Sequence, residues 1–336
     1  MKHLFSVAAA AAIAASTAIS TPAEAEEASY ILATATTGGT YYPVGVALST
    51  LIKVKLEPSE SIGMSAINSA GSGENIRLLR ENEAQFAILQ GLYGFYAASG
   101  TGPLEADGPQ ENLRSVSMLW QNVEHFVVSN DHVENGTLSD FASLKGEAVG
   151  LGARSSGTMG SNATILSGFD LDAFNDFDLF EGGYGPTAEA LQNGQIEGLS
   201  IPAGVPAGAI SQLMASAGDS VSILEITDEE MSKADGGKDL WTRFVIPAGT
   251  YPGQEEDIDT IAQPNFLAVR DDVSEENVYL ITKTIYENLP FLQAIHPATK
   301  AMALEKSIAG LPLPLHPGAV RYYEEAGVEI PDRLKP

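Results

Sequence analysis

The chain has 336 residues, of which 44% are hydrophobic, and it carries a formal net charge of −26. A charge balance this acidic argues against binding to nucleic acid or to anionic membrane surfaces. The absence of cysteine excludes a disulfide framework, a thiolate metal site and a cysteine nucleophile. The length suffices for two lobes with separate hydrophobic cores.

The first 25 residues have the pattern of a secretory signal peptide. A basic start at Lys2 precedes an apolar run from Leu4 to Ile19, and Ala23-x-Ala25 follows as a cleavage site. The run is rich in alanine and shorter than the roughly 20 strongly apolar residues that a spanning helix needs. We therefore expect residues 1–25 to be removed, leaving a periplasmic protein that does not itself span the membrane.

The mature chain opens with a strand, a glycine turn and a helix. Tyr30–Ala35 alternates as a strand does, while Val44, Leu48 and Leu51 recur at helical spacing. The turn between them is Thr36–Thr40, whose two glycines allow close approach of a ligand to the backbone. Since the first N–H groups of a helix have no partner within it, this turn favours an anion. An ordinary strand-to-helix turn is the alternative, because one glycine-rich motif is weak evidence.

A second unit of the same kind follows directly. Ser61–Ser69 is predicted as a strand and Glu74–Glu81 as a helix with Ser72 as its N-cap, before a third strand at Gln85–Gln90. This βαβαβ order is typical of a parallel sheet, in which the loops after the strands form a binding edge. Gln90 lies at such a strand end, although an exposed glutamine without a ligand role is the alternative.

The strand-to-helix device appears a third time between residues 144 and 168. Here Glu147–Leu151 is the predicted strand, Gly152–Thr158 the turn, and Ser155 or Ser156 the N-cap of the helix. Arg154 places a positive charge beside that helix start, either for a ligand or as a solvated loop residue. Two halves that each carry an anion-binding turn suggest lobes that face each other across a cleft.

Two long extended stretches connect the predicted lobes. Leu113–Ser129 leaves the first lobe, Trp241–Val269 returns to it, and the helices Glu275–Leu289, Ala298–Ala309 and Gly318–Ala326 complete it. We expect an α/β, two-lobed periplasmic binding protein fold (type II-like), with two crossing strands and the C-terminal helices on the first lobe, that closes by hinge motion. The predicted first lobe comprises residues 26–124 and 250–336, and the second comprises residues 125–249.

The sequence also resembles the TAXI family, the extracytoplasmic solute-binding subunits of TRAP (tripartite ATP-independent periplasmic) transporters. The matching segments follow each other in order through the mature chain: TGGTYYPVG (37–45), SAGSGENIRLL (69–79), LKGEAVGLGARSSGT (144–158), LQNGQIEGL with GVPAGAI (191–210), YPGQEEDIDTIAQPNFLAVRDDV (251–273) and LPLHPGAVRYYEEAGV (313–328). The sequence departs from the family pattern in two places. An acidic residue is expected soon after Gln90, where this chain has Gly91-Leu92-Tyr93, and Glu197-Gly198 replaces a commoner Asp-Ala.

The resemblance implies a receptor that captures a small carboxylate solute, of the glutamate, glutamine or 2-oxoglutarate type, and delivers it to TRAP membrane permease subunits. No cofactor and no metal is expected. The residues expected to bind the solute, from the loops and the resemblance together, are Thr37, Gly38, Gly39, Thr40, Tyr41, Tyr42, Gly71, Ser72, Asn75, Gln90, Arg154, Ser155, Ser156, Gly157, Thr158 and Gly204.

Two other functions compete with a TRAP receptor. An enzyme is one, since similar folds host catalysis, but the chain lacks H-E-x-x-H, G-x-S-x-G and P-loop motifs, and no two histidines have metal-ligand spacing. His125 is predicted to be a satisfied buried histidine rather than a pH-sensitive hinge group, and His316 a structural residue of a proline-flanked turn. The ligand-binding component of a sensor or of an ABC importer is the other, and we predict a binding protein rather than an enzyme.

Overall fold

The computed structural model describes residues 27–237 and 240–336. The predicted signal peptide, residues 1–25, lies outside the described residues. Among the helices that are described, none is both long enough and apolar enough to cross a membrane.

Two β-sheets, one in each lobe, organise the described chain. Their strands are β1 (Ala28–Ala33), β2 (Ile62–Ile67), β3 (Phe86–Gln90), β4 (Leu113–Val123), β5 (Phe126–Ser129), β6 (Ala148–Gly150), β7 (Asp178–Leu179), β8 (Gly198–Ser200), β9 (Val221–Ile223), β10 (Thr242–Ile246) and β11 (Ile258–Arg270).

The helices alternate with the strands along much of the chain, as expected where parallel strands are joined by crossover connections. They are α1 (Tyr41–Lys55), α2 (Glu57–Glu60), α3 (Ser72–Arg80), α4 (Gly91–Ser99), α5 (Leu138–Ala142), α6 (Gly157–Ser167), α7 (Tyr184–Gln192), α8 (Gly208–Ala217), α9 (Asp228–Asp235), α10 (Glu275–Glu287), α11 (Leu289–Ile295) and α12 (Pro317–Glu325).

The first sheet has the strand order β10-β11-β3-β1-β2, and β4 pairs with β11 as well. β1 runs parallel to β2 and β3, so the loops that follow these strands meet at one edge. β11 is antiparallel to both β3 and β4, and this pairing sets Asn265 opposite Gln90 and Trp120. The second sheet, β7-β6-β8-β5-β9, likewise combines a parallel part, β7-β6-β8, with antiparallel neighbours of β5.

The second lobe has two hydrophobic cores, one on each face of its sheet, because successive side chains of a strand point to opposite faces. On β5, Phe126 and Val128 pack into one cluster with Leu166 and Trp241, whereas Val127 packs into the other. Successive side chains of a strand point to opposite faces, so both faces of this sheet are apolar and covered. The first lobe has a single larger core, built on its sheet and on α1, α10 and α12.

The lobes are joined where β4 continues into β5 and where β11 returns. Between β4 and β5, the N–H of Glu124 donates to the carbonyl of Ile261 (2.9 Å), and the hydroxyl of Thr260 donates to the carbonyl of Glu124 (2.8 Å). The two crossing segments are thus bonded to each other at the lobe boundary. β10 pairs with β11 in the first sheet, yet its Ile246 packs in the core of the second lobe. The exact lobe boundaries stay a prediction.

Two local predictions are wrong. Ser72 is not the N-cap of α3, since the helix begins at Ser72 itself, and its hydroxyl instead accepts the N–H of Gln90 (3.1 Å). The helix predicted over residues 298–309 is replaced by short 3₁₀ turns. There the hydroxyls of Thr299 and Ser307 donate to carbonyls three residues earlier, and such bonds compete with a continuous α-helix.

Candidate functional site

A cavity of about 120 Å³ lies between the two lobes. None of the described residues that line it has a charged side chain. Hydroxyl, amide and backbone groups form its walls, which comprise Ala35, Thr36, Gly39, Thr40, Tyr41, Ala70, Gly71, Ser72, Gln90, Asn122, Gly152, Ala153, Ser156, Gly157, Thr158, Gly182, Gly183, Tyr184, Pro202 and Ala203.

Four helices begin at the cavity wall. Their N-cap residues are Thr40 for α1, Gly71 for α3, Ser156 for α6 and Gly183 for α7, and all four line the cavity. Only the Ser156 side chain, among these, caps its own helix, by accepting the N–H of Met159. The other three starts have no side-chain cap bond, so the N–H groups there that have no other partner are suited to a bound anion.

Side chains of the first lobe form one wall. The Tyr41 hydroxyl donates to Asn265 Oδ1 (2.5 Å), which fixes the ring against the middle of β11. Gln90 ends β3, is 2% exposed, and donates through Nε2 to the carbonyl of Gly157 (3.1 Å) in the other lobe. The wall therefore presents a fixed phenol and a glutamine that already reaches across the cleft.

The opposite wall is built on Tyr184 and Thr158. The Tyr184 hydroxyl donates to the carbonyl of Pro202 (2.8 Å), so its contact with Thr158 Oγ1 (2.7 Å) has the threonine as donor. Burial is the main cause that raises the pKa of Tyr184, so this phenol is neutral at physiological pH. The wall thus offers polar groups without charge.

Hydrogen bonds across the cleft hold the lobes together in a closed arrangement. The Thr40 hydroxyl accepts the N–H of Gly204 (2.9 Å), and the N–H of Glu74 donates to the carbonyl of Ser155 (3.1 Å). The Tyr93 hydroxyl donates to the carbonyl of Ser156 (3.1 Å). Most of these acceptors are backbone carbonyls, so closure depends on backbone fit at the rim of the cavity.

Nine of the sixteen residues predicted to bind the solute line the cavity. They are Gly39, Thr40, Tyr41, Gly71, Ser72, Gln90, Ser156, Gly157 and Thr158. Their roles in binding stay a prediction.

The other seven predicted residues do not line the cavity: Thr37, Gly38, Tyr42, Asn75, Arg154, Ser155 and Gly204. Arg154 is 61% exposed and forms an ion pair with Glu181 (2.7 Å). Asn75 is buried and donates to the carbonyls of Thr34 (2.7 Å) and Ile88 (2.9 Å), so it ties the first sheet together. Ser155 and Gly204 contribute backbone bonds between the lobes.

Sequence reasoning missed Asn122 and Tyr184 among the cavity residues. Asn122 is 2% exposed, and none of the described residues hydrogen-bonds to its Oδ1. The signal available in the sequence was a polar residue within an extended stretch that is otherwise mostly apolar. Tyr184 follows the pair Gly182-Gly183, a glycine turn before a helix like the ones selected elsewhere.

Two titratable residues lie side by side at the lobe junction, behind the cavity wall. Burial raises the pKa of Glu124 to about 7, against the opposing effect of the neighbouring polar side chains of Ser161, Trp241 and Gln263. Burial lowers the pKa of His125 to about 4.

His125 is a satisfied buried histidine, as predicted. Its Nδ1 lies 2.9 Å from the carbonyl oxygen of Val123 and 3.0 Å from that of Ile201, so Nδ1 carries the proton. Nε2 then accepts from the Tyr251 hydroxyl (2.7 Å), which itself accepts the N–H of Ala207 (3.0 Å). Within the described ranges, no group of three or more histidine, aspartate or glutamate residues is arranged to hold a metal ion.

The family is decided by the sequence match. Residues 32–327, which include the cavity wall and the lobe junction, match the NMT1-like family. The chain belongs to the NMT1-like family.

Solved structures share the fold of this NMT1-like protein at low sequence identity. The binding protein component of an ABC phosphonate transporter from Pseudomonas aeruginosa is 8% identical, with a TM-score of 0.51 over 80% of this chain and 78% of its own. PhnD1 from Prochlorococcus marinus, in complex with methylphosphonate, is 11% identical, with a TM-score of 0.51 over 81% of this chain and 90% of its own.

A protein from Bordetella bronchiseptica is 16% identical, with a TM-score of 0.50 over 91% of both chains. At such identities the likeness concerns the fold. It confirms the prediction of a two-lobed α/β fold of the periplasmic solute-binding kind for this NMT1-like protein.

Proposed function

We propose that this protein is a periplasmic receptor that encloses one small anionic solute between its lobes and delivers it to a membrane permease. The observation that carries the proposal is the convergence of four helix N-termini on a cavity whose described lining has no charged side chain. Partial positive charges of helix starts favour an anion at contact range, where the acidic outer surface is screened.

The size of the cavity limits the solute. Its volume of about 120 Å³ is of the same order as that of an engineered cavity of about 150 Å³ that holds benzene, so the cavity is sized for a single small solute. A carboxylate of the glutamate, glutamine or 2-oxoglutarate type is the solute class we propose. The ring of Tyr41 lies against the cavity and would pack on an apolar stem.

Two classes of permease are candidates for the partner. The fold relatives from Pseudomonas aeruginosa and Prochlorococcus marinus are phosphonate-binding proteins, the first named as part of an ABC transporter, which favours an ABC importer. The ordered TAXI-like segments, such as TGGTYYPVG and LKGEAVGLGARSSGT, favour a TRAP permease. Uptake into vesicles that contain a candidate permease of either class separates them, since an ABC importer requires ATP and a TRAP permease requires an ion gradient.

A thermal-shift screen of residues 26–336 tests the receptor function. The protein is first unfolded and refolded to remove any bound solute, and then heated with amino acids, dicarboxylates, 2-oxoacids and methylphosphonate. A solute at 100 times its Kd should stabilise the native state by about 2.7 kcal/mol, which raises the melting temperature clearly. Stabilisation by one acid without its chemical conversion is the expected result. Conversion of the acid, or no stabilisation by any anion, contradicts the proposal.

Asn122→Ala should weaken binding of the solute found in that screen roughly ten- to hundredfold. Asn122 is a buried amide in the cavity wall. Its Nδ2 is a donor that can bond to an anionic solute, and a lost hydrogen bond to a charged group costs about 1.5–3 kcal/mol. Isothermal titration calorimetry measures the change. The matched control is Gln121→Ala, whose side chain lies on the opposite face of β4 and should change Kd less than about twofold. Equal losses of affinity in the two variants would mean that the effect comes from distortion of β4 and would contradict a contact between Asn122 and the solute.

A further inference from the structure

Glu124 lies where the chain passes from one lobe to the other, and its side chain is as buried as that of a core residue. It is 1% exposed, and both polar groups of its backbone are bonded to β11. The carboxyl group therefore has a fixed position at the junction about which the two lobes would move when the cleft closes. Glu124 does not line the cavity, so solute binding as described above gives it no role.

The carboxyl group is only partly satisfied. Oε1 accepts from the Ser161 hydroxyl (2.6 Å) and lies 3.5 Å from Trp241 Nε1, whereas no described residue bonds to Oε2. Ser161 lies on α6, about one turn from Gly157 and Thr158 in the cavity wall. Among the described ion pairs, none includes Glu124. An ionised carboxylate here has no compensating cation, which is costly in a buried site.

The titratable groups that face Glu124 are all neutral near physiological pH. Tyr41 on α1 and Tyr184 on α7 both line the cavity, both feel the charge of Glu124, and both have a raised pKa, chiefly because they are buried. His125, the neighbour in the chain, has a pKa of about 4 and turns its ring to Tyr251. Glu124 is thus the group whose charge changes near neutral pH at this junction.

An enclosed anion would lie on the other side of those two phenols. Two negative charges that share a weakly polar interior repel each other, and protonation of the carboxylate removes the repulsion. The proton also removes the negative charge from a carboxyl group whose Oε2 receives no hydrogen bond from the described residues. Closure around an anion and protonation of Glu124 therefore favour each other, in the reciprocal way that linkage requires.

We propose that Glu124 is a proton site coupled to the cavity, which takes up one proton from solvent when the lobes close on an anionic solute and returns it to solvent when they open. The inference rests on the proposed receptor function and deepens it, because the solute is then bound together with its neutralising proton. Burial, which raises the pKa of Glu124 to about 7 even without a solute, sets the site to respond near neutral pH.

Calorimetry with 2-oxoglutarate and L-glutamate tests the coupling, since neither solute changes its net charge between about pH 5.5 and about pH 8.5. Titrations in buffers with different heats of ionisation count the protons taken up. We expect uptake of up to one proton per solute near pH 7.5 and a Kd that rises at least about tenfold between about pH 6.5 and about pH 8.5. In Glu124→Gln, Kd should vary less than about twofold over this range and proton uptake should vanish.

The matched control is Glu230→Gln. Glu230 is a buried carboxylate bonded to Thr137, Ser139 and Thr227, away from the cavity lining, so its loss should leave the pH dependence of binding unchanged. A pH-independent Kd in the wild-type protein, or an unaltered slope in Glu124→Gln, overturns the coupling while the receptor function stands.

A second measurement keeps the two proposals separable. If neither solute binds at any pH, the solute class of the receptor proposal fails, and Glu124 is then followed directly in the ligand-free protein. Infrared spectra of protein labelled with ¹³C at glutamate, with the Glu124→Gln spectrum subtracted, give the titration of this carboxyl group. A midpoint near pH 7 supports the proton site, and a midpoint below about pH 6 overturns it.

Discussion

Gly73→Ala should leave the protein folded but deprive it of tight solute binding. Gly73 is the second residue of α3, at the rim of the cavity, and a Cβ atom added there would lie 2.3 Å from the carbonyl oxygen of Ser155 in the other lobe. Because that atom belongs to the backbone, the clash is relieved only if the rims separate by about 1 Å. The neighbouring bond from Glu74 to Ser155 is then lost.

The expected loss is about 2–4 kcal/mol of binding free energy, or roughly 30- to 1,000-fold in Kd, because inter-lobe bonds and solute contacts weaken together. Small-angle X-ray scattering should show that the wild-type protein becomes more compact with solute and that the variant does not. Thermal stability without solute should be unchanged or slightly higher, since alanine is favoured over glycine within a helix by about 0.5–1 kcal/mol.

Gly185→Ala is the matched control for this variant. Gly185 is the second residue of α7, another helix that begins at the cavity, and a Cβ atom added there meets nothing within 4 Å. The control has the same chemistry at the same helix position without the clash. It should bind the solute as the wild-type protein does, and compaction of Gly73→Ala with undiminished affinity would contradict the role assigned to the rim.

The strand-to-helix turns of the cavity could be predicted from sequence because each is a local device. Gly39, Ser72 and Ser156 lie in glycine- and serine-rich stretches between an alternating and a helical pattern, and the structure brings these stretches to one cavity. Their position is set by the parallel strands, whose ends share one edge. Local pattern and sheet topology are enough for that result.

Residues placed by long-range pairing could not be predicted in the same way. Asn122 enters the cavity wall because β4 pairs with β11, a contact between segments more than a hundred residues apart. Arg154 lies in a predicted turn, but its side chain pairs with Glu181, a partner that no local pattern identifies. The direction in which a loop side chain points depends on such partners. The sequence therefore predicted which loops form the cavity better than it predicted which side chains line it.

Glu124→Gln should make the protein more stable at alkaline pH. The native-state pKa of Glu124 is raised by burial from 4.5 to about 7, so the native state binds more protons than the unfolded state between these two values. The free energy of unfolding therefore falls as pH rises through this window, by up to about 3 kcal/mol, and the loss is complete above it. Below about pH 4.5 both states are protonated and this contribution vanishes.

Glutamine cannot ionise and keeps the shape of the side chain, so the variant should lose this part of the pH dependence. Urea unfolding of the ligand-free proteins at about pH 5 and about pH 8 measures it, with an expected gain of roughly 2–3 kcal/mol for Glu124→Gln at the higher pH and little difference at the lower. If the free energy of unfolding depended on pH in the same way in both proteins, Glu124 would not be a buried, unpaired acid with a raised pKa.

Glu230→Gln provides a comparison of opposite sign. Burial alone would raise the pKa of Glu230, but hydrogen bonds from Ser139, Thr227 and Thr137 outweigh it and hold the pKa below its ordinary value. Its stabilising contribution is therefore present at neutral pH and lost as pH falls through the native-state pKa, so Glu230→Gln should be less stable than the wild-type protein at about pH 8. Two buried glutamates of one chain thus respond oppositely to the same substitution, because Glu230 is fully bonded as an anion whereas Glu124 is not.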